Sequence, residues 1–286
     1  MSKIIKIKSG GLCACISTLG AELISVICDG EEQIWQGDPR FWTGHSPILF
    51  PVCGELRDNK FTYQGKEYNL RKHGFASIME FSVESVTESS AVFLLRSDET
   101  TRESYPFDFE FRVKYELSGR DLRVIYETKN LTDGDMYFSV GAHESYTCPE
   151  GLSAYKLIFD CEESFDSATF TPDKVIGDEI ISFGKNTREL PLKDEYYERV
   201  GVLQFLNIKS RGVRLVNTLT GKERRLDFGG IDYFFVWSRP GAGYVCLEPW
   251  RGHPDLHSHD GDITRKSGII RLAKGETDVT VHTITY

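Results

Sequence analysis

The chain has 286 residues, of which 40% are hydrophobic and 27% are charged, and its formal net charge is −9. This composition is ordinary for a globular protein with a sizeable core. It contains no run of basic residues, which excludes the charge pattern of proteins that bind nucleic acids or anionic membranes. No segment approaches the roughly 18 uncharged apolar residues that a membrane span needs.

The first eight residues alternate charged and apolar side chains, which predicts a strand and not a secretory signal. Seven cysteines are scattered along the chain and lie mostly inside apolar runs, among them Cys13, Cys15, Cys28 and Cys246. This distribution is typical of reduced cysteines packed in a core, so we expect a cytoplasmic protein.

Apolar and polar residues alternate with a period of two along much of the chain, which indicates half-buried strands. The clearest case is a hairpin that alternates over residues 107–117, turns at 118–121 and resumes at Leu122. Further strands are predicted at residues 22–28, 61–70 (a second hairpin, around Gly65), 80–86, 91–97, 155–160, 202–208, 212–217, 233–237 and 277–285. No long amphipathic helix is indicated. The sequence therefore predicts an all-β fold, with one β-sandwich domain over residues 1–286.

The segment of residues 34–42 is aromatic and loop-like, and it contains Trp35 and Trp42. It either lines a pocket or caps the core, and the sequence leaves both alternatives open.

Three short stretches place an ionisable residue beside small or aromatic neighbours. In residues 243–252 an apolar run leads to Glu248, and Pro249, which has no N–H, is expected to end the strand there. His73 precedes a glycine, and His143 follows a Gly-Ala pair, so a ligand can approach both closely. Each of these residues, taken alone, is also compatible with a purely structural role.

Two histidines and a carboxylate suit the opening of a pyranose ring, which needs a base at the anomeric hydroxyl and an acid at the ring oxygen. A glutamate with an ordinary pKa of about 4.3 is ionised at neutral pH, and a histidine with a pKa of about 6.5 is partly protonated. A nearby carboxylate would favour the imidazolium further. The sequence therefore predicts an ionised glutamate and a readily protonated histidine, without extreme pKa shifts.

Five short motifs follow one another in a recognisable order: Gly-Ala-Glu-Leu at 20–23, Leu-Phe-Pro-Val-Cys-Gly at 49–54, His-Gly-Phe-Ala at 73–76, Gly-Ala-His at 141–143 and Leu-Glu-Pro-Trp-Arg-Gly at 247–252. In these motifs the chain resembles the aldose 1-epimerase (galactose mutarotase) family, and within it the LacX-like subgroup. The resemblance implies a large antiparallel β-supersandwich with a sugar cleft across one concave sheet. It also implies an enzyme that interconverts the α and β anomers of a hexose or related sugar, with no metal or organic cofactor.

The same resemblance implies the roles of the site residues. Glu248 stands in the place of the catalytic base and His143 in that of the catalytic acid at the ring oxygen. His73 stands in the place of the histidine that binds or polarises the sugar. Trp250 either stacks on the C–H face of the sugar or packs at the rim of the cleft.

Two departures from the family leave the identity of the sugar open. Glu55 occupies the place of an arginine, and Arg57 is the substrate-binding candidate to reach the same space. Val200 and Gly201 fall where the family has a substrate-binding aspartate.

Alternative functions also stay open. The first is a non-catalytic sugar-binding or regulatory protein on the same fold, because a fold does not determine an activity. The second is a hexose-6-phosphate 1-epimerase, for which Arg57, Arg71, Lys72 and Arg251 are the candidate cations. In addition, residues 253–260 hold three histidines and two aspartates, which is compatible with a zinc site or with a solvated loop. The sequence does not indicate the oligomeric state.

Overall fold

The computed structural model describes residues 2–286. Over this range the strands, in chain order, are β1 (Ile4–Ser9), β2 (Leu12–Ser17), β3 (Leu23–Cys28), β4 (Glu31–Glu32), β5 (Lys60–Tyr63), β6 (Lys66–Asn69), β7 (Ser82–Val86), β8 (Ser90–Arg96), β9 (Phe109–Ser118), β10 (Asp121–Asn130), β11 (Met136–Phe138), β12 (Val140–Gly141), β13 (Glu144–Thr147), β14 (Tyr155–Glu163), β15 (Asp166–Phe170), β16 (Ile176–Ser182), β17 (Thr187–Pro191), β18 (Leu203–Phe205), β19 (Gly212–Asn217), β20 (Glu223–Asp227), β21 (Tyr233–Trp237), β22 (Tyr244–Arg251), β23 (Ile270–Leu272) and β24 (Thr277–Thr285).

The helices are α1 (Glu99–Ser104) and α2 (Asp194–Val200), with 3₁₀ turns at Arg57–Asn59, Ala76–Ile78, Leu152–Ala154 and Ile263–Arg265. Within residues 2–286, none of the helices has the length and apolar character needed to cross a membrane.

Three antiparallel sheets form the framework. The largest has nine strands in the order β17-β14-β19-β20-β24-β10-β9-β8-β7. The second has five strands in the order β12-β22-β21-β18, with β13 also paired to β22. The N-terminal strands form a third sheet in the order β1-β2-β3-β4.

The nine-stranded and five-stranded sheets pack face to face. Phe159 of β14 contacts Phe234 of β21, with 5.8 Å between the ring centroids. Glu144 Oε1 of β13 lies 2.7 Å from His282 Nε2 of β24, within hydrogen-bonding distance. Because apolar side chains from both sheets meet in one buried cluster, the layers form a sandwich. The predicted all-β antiparallel fold is confirmed.

The predicted hairpin at 107–126 is formed by β9 and β10. Ser118 and Asp121 are opposite each other, so only Gly119 and Arg120 make the turn. Gly119 has φ +60°, the left-handed region that two-residue hairpin turns use and that glycine adopts without strain.

Strand β22 does not end at Pro249, which corrects the sequence-based prediction. Pro249 remains opposite Phe234 of β21. Its carbonyl accepts a hydrogen bond from the Ala142 N–H at 3.2 Å. In an antiparallel strand the N–H and C=O of one residue point to the same side, so the N–H that Pro249 lacks would also face β12 and β13. The ladder on that side is interrupted at residues 142–143. There the Trp250 indole N–H donates to the Ala142 carbonyl at 2.9 Å and replaces the donor that proline lacks.

Candidate active site

The candidate site lies on the face of the five-stranded sheet that points away from the main core. Successive side chains on a strand point to opposite faces. On β22, Val245 and Leu247 therefore join the main core, while Glu248 and Trp250 face a cavity of about 500 Å³. Ligand sites in proteins commonly have about 300–1,000 Å³, so the cavity has the size of a small-molecule site.

His143 lies beside Glu248 in this cavity. It sits between β12 and β13, in the interrupted part of the ladder opposite β22. The distance from His143 Nε2 to Glu248 Oε2 is 3.4 Å. The two residues are 9% and 1% exposed, respectively. Among residues 2–286, neither His143 Nδ1 nor Glu248 Oε1 has a hydrogen-bond partner, so the pair retains unused polar atoms.

Burial sets the protonation of this pair. Loss of hydration and, to a smaller extent, the positive charge of Lys72 together lower the pKa of His143 to about 3. Burial raises the pKa of Glu248 well above its ordinary value, against the opposing effect of Lys72. In the free protein burial therefore favours a protonated Glu248 and a neutral His143, whereas ordinary pKa values predict an ionised glutamate beside an imidazolium.

The neutral pair nevertheless holds the proton that acid–base chemistry needs. A carboxylic acid with a neutral imidazole carries the same number of protons as a carboxylate with an imidazolium. Transfer of one proton from Glu248 to His143 therefore produces a base and an acid without proton uptake from solvent. At 3.4 Å between Nε2 and Oε2, the two groups are close to hydrogen-bonding distance.

His73 approaches the pair from a loop. Its ring centroid lies 5.9 Å from that of His143 and 5.5 Å from that of Trp250. The backbone N–H of Gly54 donates to His73 Nδ1 at 3.0 Å, so the neutral ring carries its proton on Nε2. Burial lowers the pKa of His73 well below its ordinary value, which keeps the ring neutral. His73 can thus donate one hydrogen bond from Nε2.

Glycine is required directly after His73. Gly74 has φ +69°, and a Cβ at this position would lie 2.2 Å from the carbonyl oxygen of Phe50. The backbone of residues 73–74 therefore packs against the chain at residue 50 with no room for a side chain. This close approach holds His73 at the cavity wall and explains the His-Gly pair in the sequence.

Aromatic rings form much of the remaining wall. The Trp250 ring stacks on Phe235, with 3.9 Å between centroids. Trp42 and Trp237 contact His143, at 5.2 and 5.6 Å between centroids. Trp42 therefore lines the cavity, which is the first of the two roles that the sequence leaves open for residues 34–42. Trp250 lines the cavity as well, while its indole N–H is committed to the sheet.

Arg57 is not among the residues that line this cavity. Its guanidinium donates to the carbonyls of His257 and His259, which directs it to another loop. Arg57 therefore does not replace the arginine that is absent at Glu55, and this corrects the prediction from sequence. Glu55 itself lies at the cavity wall.

Three cationic side chains that also line the cavity are Arg71, Lys72 and Arg239. Arg71 and Lys72 were candidates from the sequence, whereas Arg239 was missed. The one feature of the sequence that could have indicated Arg239 is its position two residues after a predicted strand that ends at Trp237. The fourth candidate cation, Arg251, is paired with Asp278 at 2.6 Å and lies outside the cavity lining.

The histidines and aspartates of residues 253–260 do not converge. His253 is buried and contacts the Pro254 carbonyl, and Asp255 pairs with Lys266 at 2.7 Å, with both side chains 1% exposed. His257 instead contacts Asp178 at 3.2 Å. The solvated-loop interpretation is therefore wrong for His253 and Asp255, which are part of the packed interior.

A different group satisfies the spacing of metal ligands. Within residues 2–286, ligating atoms of His143, Cys246 and Glu248 all lie within 4.8 Å of one another. Metal binding would require the thiolate of Cys246. Burial raises the pKa of this thiol well above its ordinary value, so Cys246 is neutral in the metal-free protein.

Comparisons with known proteins agree with this architecture. A family model described as aldose 1-epimerase matches residues 3–171. The protein LacX (plasmid) of Lactococcus lactis subsp. lactis is 33% identical over 262 residues, which cover 87% of each chain. The chain therefore belongs to the aldose 1-epimerase family, and the resemblance predicted from its motifs is confirmed.

Comparison with solved structures identifies the fold. A galactose mutarotase related enzyme from Lactobacillus acidophilus superposes with a TM-score of 0.94 at 29% identity, covering 99% of this chain and 97% of that one. A galactose mutarotase-like protein from Lactobacillus casei ATCC 334 gives 0.92 at 25% identity, with 99% of both chains covered. The fold is thus the galactose mutarotase-like β-supersandwich. Family and fold together support a mutarotase-like, sugar-binding function.

Proposed function

We propose that the protein is an aldose 1-epimerase that interconverts the α and β anomers of a sugar by opening and reclosing its ring. The observation that carries this proposal is the 3.4 Å separation between His143 Nε2 and Glu248 Oε2 in a sugar-sized cavity. The reaction moves one proton off the anomeric oxygen and one onto the ring oxygen. Because both oxygens are bonded to C1, the acid and the base must lie close together.

In the proposed ring opening, Glu248 as carboxylate takes the proton of the anomeric hydroxyl, and a C1–O1 double bond forms. The bond from C1 to the ring oxygen breaks, and its electron pair accepts a proton from the His143 imidazolium. Rotation about C1–C2 and reversal of these steps on the other face of the aldehyde give the opposite anomer. No atoms are gained or lost, and at the end Glu248 and His143 together hold the same number of protons as at the start.

Burial assists the opening step. Before it, the reactive form of the pair carries two charges, and after it Glu248 is protonated and His143 is neutral. The pKa directions of both residues favour that neutral form. His73 supports the reaction by donating its Nε2–H to a sugar oxygen, since its Nδ1 is occupied by the Gly54 N–H.

The test is anomer exchange measured by polarimetry or NMR on freshly dissolved α-anomers of several hexoses and pentoses, after subtraction of the spontaneous rate. His143→Asn and Glu248→Gln are expected to lower the catalysed rate by about 10²–10⁴-fold, the usual contribution of general acid–base groups. Glu162→Gln, a change at an exposed carboxylate outside the cavity, is the matched control.

Near-normal exchange in either site variant would overturn the assignment of that residue. Sugar binding with exchange at the spontaneous rate in the unmodified protein would overturn the enzymatic proposal and favour the non-catalytic sugar-binding alternative. Circular dichroism of each variant separates loss of chemistry from loss of folding.

A further inference from the structure

The wall of the candidate site has a charge opposite to that of the whole chain. The protein has 43 acidic and 34 basic residues. Arg71, Lys72 and Arg239 nevertheless converge on the cavity, where the carboxyl groups are Glu55 and Glu248, and burial favours the protonated form of Glu248. The entrance to the cavity is therefore positively charged when the pair is neutral.

These three cations are free to bind a ligand. Over residues 2–286, none of them forms an ion pair within 4.0 Å or a side-chain hydrogen bond, although Arg239 lies 5.6 Å from the centroid of the Trp237 ring. Some cations elsewhere are paired with carboxylates, as Arg251 is with Asp278 and Arg112 is with Glu84. Three exposed cations from two separate segments, in one cavity, form a site with unused hydrogen-bond donors.

The cations also have a defined position relative to the acid–base pair. Lys72 adjoins His73, whose ring lies 5.9 Å from that of His143. Arg239 contacts Trp237, whose ring lies 5.6 Å from that of His143. The pair is buried at the base of the cavity, whereas the three cations are exposed at its mouth. A sugar with C1 at the pair would therefore present its opposite end to the cations.

We propose that the natural substrate is an aldose that carries an anionic group, a phosphate or a carboxylate, on the part of the sugar remote from C1. This inference rests on the proposed epimerase function and specifies its substrate class. Arginine and lysine bind such groups through charge-assisted hydrogen bonds, and arginine can hold two oxygens at once. A neutral hexose would leave all three cations without a counter-charge.

The experiment compares kcat/KM for anomer exchange of glucose and galactose, their 6-phosphates, and the corresponding uronates. We expect one anionic series to exceed the neutral sugars by about tenfold or more, which is the value of one hydrogen bond to a charged group. This preference should fall as salt is raised, because exposed charges are screened. The phosphate and uronate arms identify which anionic group is recognised.

Lys72→Met and Arg239→Gln should each reduce the ratio of anionic to neutral kcat/KM by about tenfold. The matched control is Lys185→Met, at an exposed lysine outside the cavity, which should leave that ratio unchanged. Using the ratio removes any general effect of a variant on catalysis or folding.

The possible failures are distinguishable. Exchange of neutral hexoses with no anionic preference, or a preference unaffected by both variants, would overturn this inference while supporting the proposed epimerase. Binding of glucose 6-phosphate, lost in Lys72→Met but without exchange of any sugar, would support the anionic ligand and overturn the epimerase. Calorimetric titration with glucose 6-phosphate provides this binding measurement.

Discussion

The hydrogen bond from Trp250 to Ala142 predicts an unusual rescue. Pro249 leaves the Ala142 carbonyl without its ladder partner, and the indole N–H of Trp250 fills that role at 2.9 Å. Ala142 is 1% exposed, so water does not reach this carbonyl readily. Trp250→Phe removes the donor while keeping an aromatic ring that can still stack on Phe235.

A buried carbonyl that loses its donor costs about 1–3 kcal/mol, and the lost volume of the indole adds a cavity cost. Pro249→Ala restores a backbone N–H on the side of β22 that faces Ala142. In this background, Trp250→Phe should therefore cost less, by about 1–2 kcal/mol, than it does in the unmodified protein. The cycle cancels the effects of Pro249→Ala on packing and on the unfolded chain.

The free energy of unfolding is measured for the four proteins by urea denaturation, followed by circular dichroism because the tryptophan content differs. Equal m-values across the set would show that changes in midpoint report stability. Additive costs, with no coupling between the two substitutions, would refute the view that the indole replaces the missing backbone donor.

Three further predictions concern buried titratable groups. Burial raises the pKa of Glu248 above its ordinary 4.5, so the unfolded chain loses this proton before the native protein does as the pH rises. The stability that this group contributes is therefore complete below about pH 4.5 and decreases as the pH rises from there to the pKa of the native protein. In urea titrations Glu248→Gln should thus gain stability relative to the unmodified protein by up to about 1.4 kcal/mol per pH unit in that window, and Glu162→Gln should not. In ¹⁵N NMR spectra His73 should remain the neutral Nε2–H tautomer as the pH is lowered through its ordinary pKa of 6.5, and a protonation midpoint at 6.5 would contradict this. Lys266→Met should destabilise the fold by about 3–5 kcal/mol, because it leaves Asp255 buried without its partner, and the double change with Asp255→Asn should cost less in the same denaturation assay.

Much of the fold could be predicted from sequence because alternation of side chains is a local property. Strands Gly212–Asn217, Tyr233–Trp237 and Thr277–Thr285 have the predicted bounds. Strands β12 and β23 were not predicted, since two or three residues show no period of their own. Their extended structure depends on pairing with β22 and β11, which are distant in the sequence.

The residues of the candidate site were partly predictable. His73, His143, Glu248 and Trp250 were selected by their neighbours and motifs, and the structure brings all four to one cavity. Arg57 was misplaced, because carbonyl groups 200 or more positions later hold its guanidinium. Such long-range contacts leave no signal near the arginine itself.

Protonation of the site was the least predictable property, because ordinary pKa values describe side chains in water. The sequence shows that Glu248 follows an apolar run but not that it is 1% exposed beside a nearly buried histidine. Once burial is known, a neutral pair is favoured over the expected ion pair, while the number of protons in the pair is unchanged. In the proposed mechanism this preference is useful, since ring opening converts the ion pair into the neutral form that burial favours. The energetic difficulty then lies in forming the ion pair, which burial opposes at both residues. The charge of Lys72 acts on the two halves of the pair in opposite directions, because it favours the Glu248 carboxylate and opposes the His143 imidazolium.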